Sequence, residues 1–187
     1  MTQTITQIDA QTYRSVMGLW PTGVSVVTGT GQAEMPLGLV IGSFTSVSMD
    51  PPLVAFCPQK SSSSWSQMAV NGHLCINFLS ADQGDLCWRF ASGDITTRFD
   101  GLPVHHNPEG VVRLPGCCAW LDVDVEKEID AGDHWIVLCR VIRMDRGSSD
   151  APLAFVKGRL CSSSPLVDLA EDHLQAWENS INQLLSL

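Results

Sequence analysis

The sequence predicts a mainly β protein: an antiparallel β-barrel with peripheral helices and a C-terminal amphipathic helix. Six or seven apolar, β-branched segments alternate with turn residues, whereas helical periodicity is confined to short stretches and to the end of the chain. The strands follow one another through turns and not through regular crossover helices, which favours an antiparallel barrel over a doubly wound parallel sheet. A chain of 187 residues is long enough for one ordinary domain.

The first half of the chain is expected to form two short helices and four strands. Asp9 is a candidate N-cap for a helix whose apolar face includes Val16 and Met17. A second helix is expected to begin at a capping box over residues 64–67. The strands are expected at residues 24–28, 37–44, 53–57 and 73–79, with a hairpin turn over residues 29–36 and a stop at the Asp-Pro-Pro of residues 50–52.

The second half is expected to form a third helix, three strands and a helical tail. Residues 119–126 alternate apolar and polar side chains, which is typical of a half-exposed strand. Apolar residues recur at helical spacing from Leu166 to Leu185, which indicates an amphipathic helix. The helix is expected at residues 82–90, and the other two strands at residues 134–144 and 152–156.

The charge and hydropathy of the chain exclude several classes of partner. The net charge is −9, from 11 basic and 20 acidic residues, which argues against a nucleic acid or an anionic membrane as partner. No apolar run approaches the roughly 20 residues that cross a bilayer. The first nine residues carry no basic side chain, so no secretory signal is expected and the predicted location is cytoplasmic.

Cysteine usage and motif spacing exclude several chemistries. The seven cysteines are an odd number, so a disulfide framework is not expected and most of them are predicted to be small buried hydrophobes. No Cys-x-x-Cys or His-Glu-x-x-His occurs, and no metal site is predicted. The nucleophile elbow Gly-x-Ser-x-Gly, the Gly-Lys-Ser/Thr phosphate loop and the Gly-x-Gly-x-x-Gly dinucleotide motif are absent from the sequence.

Two segments are candidates for a binding site. Residues 42–48 combine small hydroxyl side chains with apolar ones, and Gly38 and Gly42 lie on one side of the preceding strand, where a flat group can approach the backbone. Residues 57–65 place Lys60 and four serines just before a helix, where backbone N–H groups and hydroxyls attract an anion. The alternative is a flexible serine loop followed by an ordinary helix cap.

The order and spacing of these segments resemble the flavin reductase-like family, the small flavin-binding split barrels that serve two-component monooxygenases. The resemblance covers residues 8–160, which predicts a split-barrel domain of the FMN-binding type there and a helical tail over residues 161–187. The matching segments are residues 13–18, 21–28, 36–38, 43–54, 57–58, 61–65, 132–134 and 152–155, with Gly158.

The resemblance implies which residues form the flavin site. Those at the hydroxyl-rich strand end would contact the flavin: Gly38, Leu39, Val40, Gly42 and Ser43. The ring or ribityl chain would be flanked by Cys57, Pro58 and Gln59, and the phosphate would be held by Ser63 and Ser64, with Lys60 nearby. Arg89 and Phe90 would close the site, and His134 would face the nicotinamide.

The implied activity is NAD(P)H-dependent reduction of free FMN or FAD, with the reduced flavin passed to a separate oxygenase by a homodimer. Hydride transfer to flavin N5 needs no protein acid or base, because the cofactors carry the chemistry and the protein orients them. His134 is therefore expected to act by a polar contact to the nicotinamide or flavin, and the alternative is a strand-start histidine bonded to a carbonyl group.

The sequence departs from the family at one position, and several alternative functions are compatible with it. The family often has a tyrosine after the glycine of the last strand, but here Arg159 follows Gly158 and the chain's one tyrosine is Tyr13. The protein would then use a different pyridine-nucleotide contact or bind flavin without efficient reduction. The rivals are a non-catalytic flavin-binding protein, an apo interaction module, and a barrel that handles pyridoxal phosphate or haem.

Overall fold

The computed structural model describes residues 8–149 and 151–162, and β-strands dominate this part of the chain. In chain order, the strands are β1 (Thr22–Gly23), β2 (Ser25–Thr30), β3 (Pro36–Ile41), β4 (Thr45–Met49), β5 (Pro52–Phe56), β6 (His73–Phe78), β7 (His105–His106), β8 (Val112–Arg113), β9 (Ala119–Ala131), β10 (His134–Arg146), β11 (Leu153–Val156) and β12 (Arg159–Ser162). The helices are α1 (Ala10–Met17), α2 (Ser63–Met68) and α3 (Gly84–Ser92).

Seven strands form the main sheet in the order β3-β2-β6-β9-β10-β5-β4, and every neighbouring pair is antiparallel. The edge strands β3 and β4 are not paired with each other in the described residues, so the barrel remains split between them. Strands β1, β11 and β12, in this spatial order, form a second, three-stranded sheet, and β7 pairs with β8. The predicted antiparallel split barrel with peripheral helices is confirmed.

The hairpin of β9 and β10 is the longest pair of strands in the fold. Each strand has 13 residues, and pairing runs from Ala131 opposite His134 to Ala119 opposite Arg146. Residues 119–124 of β9 pair with β6, and residues 137–140 of β10 pair with β5, whereas residues 126–130 of β9 are exposed. The exposed half of this hairpin therefore extends beyond the barrel core, towards the loop that precedes α2.

Helices α2 and α3 pack on two separate hydrophobic clusters. In α2, Trp65 and Met68 are buried, and the Trp65 ring meets Phe56 edge-on at a centroid distance of 5.4 Å. In α3, Cys87 and Phe90 are buried in the second cluster, whose other members include Val26 and Leu79. Burying each large side chain stabilises the fold by about 1.5–3 kcal/mol. Both helices contact β3.

The sequence patterns located the long elements and missed the short ones. The predicted cap of α1 is confirmed, because Asp9 Oδ1 accepts hydrogen bonds from the backbone N–H groups of Gln11 and Thr12. The strand expected to reach residue 44 ends at Ile41, and Gly42 lies on the following bend. The short strands β1, β7, β8 and β12 and the exposed edge strand β4 were not predicted as strands.

The predicted division of the chain at residue 160 falls inside β12. This strand runs to Ser162 and pairs with β11, so the first two residues of the predicted tail belong to the three-stranded sheet. The C-terminal helix expected from residue 166 lies outside the described residues. None of the helices in the described part of the chain combines the length and the hydrophobicity that a transmembrane span requires.

Candidate functional site

A groove of about 610 Å³ opens beside the end of β3, between the loop that precedes α2 and the end of α3. Polar serine residues line one part of it, and apolar side chains of β3 and α3 line another. The residues that line it are Leu39, Val40, Ile41, Gly42, Ser43, Cys57, Pro58, Gln59, Ser61, Ser62, Ser63, Ser64, Phe90, Ala91, Arg98 and His134. The start of the first predicted segment, Gly42 and Ser43, therefore meets the second segment in this groove, whereas Phe44, Ser46 and Ser48 line a different groove.

The serine loop, residues 61–64, has two hydroxyl groups that lack a hydrogen-bond partner in the described residues. Ser62 is the N-cap of α2, because its Oγ accepts a hydrogen bond of 3.2 Å from the Trp65 backbone N–H. The capping box predicted at residues 64–67 is thus wrong by two positions, since Trp65 and Met68 must face the core. Ser61 and Ser63 are exposed, and among the described residues their hydroxyls make no hydrogen bond. These two hydroxyls are free to contact a ligand.

Arg98 supplies the one arginine or lysine side chain that lines the groove in the described part of the chain. Its Nη1 donates to the Gly38 carbonyl at 2.8 Å and to Ser64 Oγ at 3.2 Å, and its Nε donates to the Gly93 carbonyl at 3.0 Å. Nη2 makes no hydrogen bond within the described residues. Burial lowers the pKa of Arg98, but a guanidinium keeps its proton at neutral pH. The groove therefore has a fixed cation with one unused donor nitrogen.

A side-chain hydrogen bond joins two walls of the groove. Ser43 follows β3, and Cys57 follows β5 in the chain. Ser43 Oγ accepts from the Cys57 backbone N–H at 2.8 Å, which holds the two loops together. Gly42 beside it is exposed. This part of the groove consists of backbone and small side chains, so a flat group can lie against it.

The turn of the β9–β10 hairpin forms the far wall. His134 pairs with Gln59 in an isolated β-bridge, and the Lys60 backbone N–H donates to the Asp133 carbonyl at 2.9 Å. The imidazole Nδ1 of His134 lies 2.8 Å from Asp133 Oδ1. His134 thus lies on the groove beside the serine loop.

Eleven of the fourteen predicted site residues line the groove: Leu39, Val40, Gly42, Ser43, Cys57, Pro58, Gln59, Ser63, Ser64, Phe90 and His134. Ser64 is buried, and its hydroxyl is already bonded to Arg98, so its position differs from that of the exposed Ser63. Sequence reasoning missed Ile41, Ser61, Ser62, Ala91 and Arg98. For Arg98, a positive charge a few residues beyond a predicted helix was the available signal.

Lys60 does not line the groove. Its ammonium pairs with Asp130 at 2.6 Å and lies 4.9 Å from the centre of the Trp135 ring. Lys60 lowers the pKa of Asp130 through this hydrogen bond and its charge, which keeps the carboxylate ionised. The exposed half of the hairpin therefore draws Lys60 away from the serines that precede α2, and the expectation that it lies by the phosphate is corrected.

Arg89 does not close the groove either. Its Nη2 donates to the backbone carbonyls of Thr97 and Asp100, so its charge stabilises the loop after α3. Arg98, which belongs to that loop, takes the place on the groove that the sequence assigned to Arg89. Phe90 does line the groove, although it is 1% exposed.

Gly38 is behind the wall of the groove and does not line it. A Cβ atom at this position would lie 2.5 Å from Cε1 of Phe90, so the protein's own aromatic ring occupies the space where the sequence predicted a ligand. The Phe90 ring also packs edge-on against Phe99 at a centroid distance of 5.0 Å. Gly38 therefore lets Phe90 form part of the wall.

Replacing Gly38 with alanine is expected to lower the free energy of unfolding by about 1–3 kcal/mol, because the buried Phe90 ring has no space to move away. Urea unfolding followed by tryptophan fluorescence measures this loss. Gly23→Ala is the matched control: Gly23 is also on a strand, but a Cβ there meets no atom within 4 Å, so its stability should change by less than about 0.5 kcal/mol. Equal stabilities for the two variants would contradict the assignment.

Comparisons with known proteins identify the family. Residues 17–164 match the flavin reductase like domain. A flavin reductase of Pseudomonas putida is 42% identical over 151 residues, which are 81% of this chain and 88% of that protein.

Two solved structures share the fold. Component B of a nitrilotriacetate monooxygenase from Mycobacterium thermoresistibile has a TM-score of 0.81 and 31% identity, covering 86% of this chain and 89% of that one. The NADH:FAD oxidoreductase SgcE6 of Streptomyces globisporus, solved with NAD and FAD fragments, has a TM-score of 0.79 and 32% identity, covering 86% and 96%. Since the matching domain spans most of the chain and the long elements of the split barrel, the protein belongs to the flavin reductase like domain family.

Proposed function

We propose that this protein is an NAD(P)H:flavin oxidoreductase that reduces free FMN or FAD and supplies the reduced flavin to a partner monooxygenase. The observation that carries the proposal is the groove, in which Arg98 and free serine hydroxyls lie beside a wall of small and apolar residues. A phosphate-bearing ligand with a flat ring has the same combination of an anionic end and an apolar face. The family match and the names of the relatives agree with this chemistry.

The donor set of the groove fits such a flavin. The phosphate is assigned to Ser61, Ser63 and the free Nη2 of Arg98, with Ser64 acting through its hydrogen bond to Arg98. The ring and ribityl chain are assigned to the remaining wall: Leu39, Val40, Gly42, Ser43, Cys57, Pro58, Gln59 and Phe90.

His134 is assigned to the nicotinamide. Bound flavin and NADH or NADPH supply the hydride acceptor and donor, so the protein needs no acid or base in the chemical step. The role of the chain is to hold two flat groups in contact and to fix their orientation. His134 lies on the groove at the turn of the hairpin, where it can contact the nicotinamide that covers the flavin.

Steady-state oxidation of NADH and NADPH, each with FMN, FAD and riboflavin, tests this function. Nicotinamide oxidation that depends on flavin supports it, and the ratio of the rates identifies the preferred pair of substrates. A yellow protein that oxidises neither nucleotide would make it a flavin-binding protein without reductase activity. A protein that binds no flavin would overturn the proposal in favour of an interaction module.

The partner is proposed to be a separate oxygenase component. One structural relative is named component B of a nitrilotriacetate monooxygenase, a name that implies a second component. The groove is open to solvent at the exposed residues Gly42, Gln59 and Ser61, so a reduced flavin can leave it. Coupled assays in which this protein supports an oxygenase without direct contact would test transfer by diffusion.

The proposed cellular location is the cytoplasm. All seven cysteines in the described residues are free, and burial raises the pKa of the Cys117 and Cys139 thiols to about 12, so these groups are inert. Free thiols in this number fit a reducing compartment.

A homodimer is also part of the proposal, because an apolar face of the sheet is uncovered. A second groove, of about 620 Å³, lies between β4, β5 and the end of β10, and its lining includes Phe44, Leu53 and Val141. Met49 and Met144 at this groove are 76% and 61% exposed. Large exposed apolar patches mark interaction sites, and the edge strand β4 adds unpaired backbone groups beside this one. A second copy of the chain is the proposed cover.

Replacing Met144 with lysine is expected to convert the dimer to a monomer, because a charge buried at an apolar interface has no partner. Sedimentation equilibrium measures the change. Val70→Lys is the control, since Val70 is 83% exposed and does not line this groove. A parent protein that sediments as a monomer, or a Met144→Lys variant that stays dimeric, would refute this interface.

A further inference from the structure

The backbone at the turn of the β9–β10 hairpin is fixed from the side of the serine loop. The Lys60 backbone N–H donates to the Asp133 carbonyl at 2.9 Å, and the Trp135 backbone N–H donates to the Pro58 carbonyl at 3.0 Å. Gln59 and His134 form a β-bridge between these two bonds. The position of the His134 Cα is therefore set by the flavin side of the groove, and the remaining freedom of this residue is the rotation of its ring.

A neighbouring carboxylate restricts that rotation. Asp133 Oδ1 lies 2.8 Å from Nδ1 of His134, and His134 makes no other side-chain hydrogen bond with the described residues. Hydrogen bonding to His134 lowers the pKa of Asp133, so the carboxylate is ionised at neutral pH. An ionised carboxylate can only accept a hydrogen bond, so Nδ1 must carry the proton. In the neutral ring, Nε2 is then the nitrogen with a free lone pair.

We propose that Asp133 is a positioning residue, which selects the Nδ1–H tautomer of His134 and so presents Nε2 to the groove as a hydrogen-bond acceptor. The ligand group that matches this acceptor is an N–H donor, and the carboxamide –NH2 of the nicotinamide is such a donor. This assignment rests on the proposed function. A carboxamide held through its N–H fixes the rotation of the nicotinamide ring over the flavin, which decides which face of the ring transfers hydride.

The nearby charges do not offer His134 a rival partner. Lys60 is bound to Asp130 and lies over the Trp135 ring, and Asp130 is on β9, one residue before the position opposite His134. Asp133 is thus the one carboxylate within hydrogen-bond distance of the imidazole in the described part of the chain. The Asp133 side chain is 91% exposed, so its hydrogen bond orients the imidazole but contributes little to the stability of the fold.

The first test is the tautomer itself, read from the imidazole ¹⁵N shifts of the ligand-free protein, recorded at increasing pH until they no longer change. The parent protein should show a protonated Nδ1 at His134. Asp133→Ala should shift the main population to the Nε2–H form, because the anionic acceptor is lost. Asp130→Asn is the matched control: it removes a carboxylate of the same hairpin that does not touch His134, and the His134 shifts should stay as in the parent.

The second test is kinetic. Asp133→Ala should lower kcat/KM for NADH or NADPH about 5–10-fold, the value of one well-placed hydrogen bond, while KM for flavin changes less than about twofold. An unchanged tautomer in Asp133→Ala would overturn the proposal, and so would a changed tautomer with unchanged kcat/KM. Failure of the parent protein to oxidise either nucleotide would instead contradict the proposed function, and the ¹⁵N spectra would still decide the role of Asp133.

Discussion

Replacing Arg98 with methionine is expected to weaken FMN binding about 10–100-fold, whereas riboflavin binding should change less than about twofold. The reason is the unused Nη2 of Arg98, in a groove that has no other arginine or lysine in the described residues. A hydrogen bond to a charged group contributes about 1.5–3 kcal/mol, and riboflavin lacks the phosphate that would accept it. Quenching of flavin fluorescence on titration with protein measures both dissociation constants.

The comparison with riboflavin separates ligand binding from structure. Arg98 also donates to the carbonyls of Gly38 and Gly93, so the alternative explanation for weaker FMN binding is a disturbed groove wall. A disturbance of the wall would weaken FMN and riboflavin equally, and that outcome would reject the phosphate role. Arg98→Lys should give an intermediate loss for FMN, because an ammonium keeps the charge but cannot make the forked contacts of a guanidinium.

Much of the fold could be predicted, because burial in the core requires a recognisable pattern of apolar residues in the long strands. Residues 73–79 and 134–144 were predicted as strands from runs of apolar residues, and β6 and β10 confirm them. Strand β4 is different: none of its residues is buried, so no alternation distinguishes it from a loop. Two-residue strands such as β7 carry no period at all, and only tertiary pairing defines them.

The start of α2 shows how packing decides between equivalent local signals. Four consecutive serines precede Trp65, and each of them can cap a helix. The structure selects Ser62, because that start places Trp65 and Met68 on the side that faces the core. The Trp65 indole N–H also reaches Glu128 of the hairpin at 2.9 Å, a contact that spans 63 residues of sequence.

The candidate site was predictable where it is local in sequence and unpredictable where distant residues compete for a charge. Residues 57–59 and 63–64, which the resemblance assigns to one site, line one groove because they are close together in the sequence. Lys60 is adjacent to them, but its partner Asp130 is 70 residues away, and no local pattern reveals that pair. Arg89 and Arg98 are both close to the end of α3, and only the path of the intervening loop decides which one reaches the groove.

The buried ion-pair network at Asp122 should be the most costly to break. Asp122 lies in the middle of β9 and is 3% exposed. Arg113 Nη2 donates to its Oδ2 at 2.6 Å, and Arg143 Nη1 donates to the same oxygen at 2.9 Å. Burial raises the pKa of Asp122, but the hydrogen bonds and charge of Arg113 outweigh burial, so the net shift is downward. One carboxylate therefore joins β8, β9 and β10.

Replacing Asp122 with asparagine is expected to lower the free energy of unfolding by about 3–4 kcal/mol at neutral pH, because two partly buried guanidinium groups lose a shared anion. Because the folded-state pKa of Asp122 is depressed, its contribution is fully present above the unfolded-state value of about 4 and is lost as the pH falls below it. The difference between parent and variant in urea unfolding should therefore shrink on acidification below about pH 4. Asp130→Asn breaks the Lys60 pair, in which Asp130 is 72% exposed, and should change the free energy of unfolding much less than Asp122→Asn does. Equal losses of unfolding free energy in the two variants would mean that burial does not determine the strength of these pairs. A loss in Asp122→Asn that does not depend on pH would mean that the charge of Asp122 does not hold the three strands together.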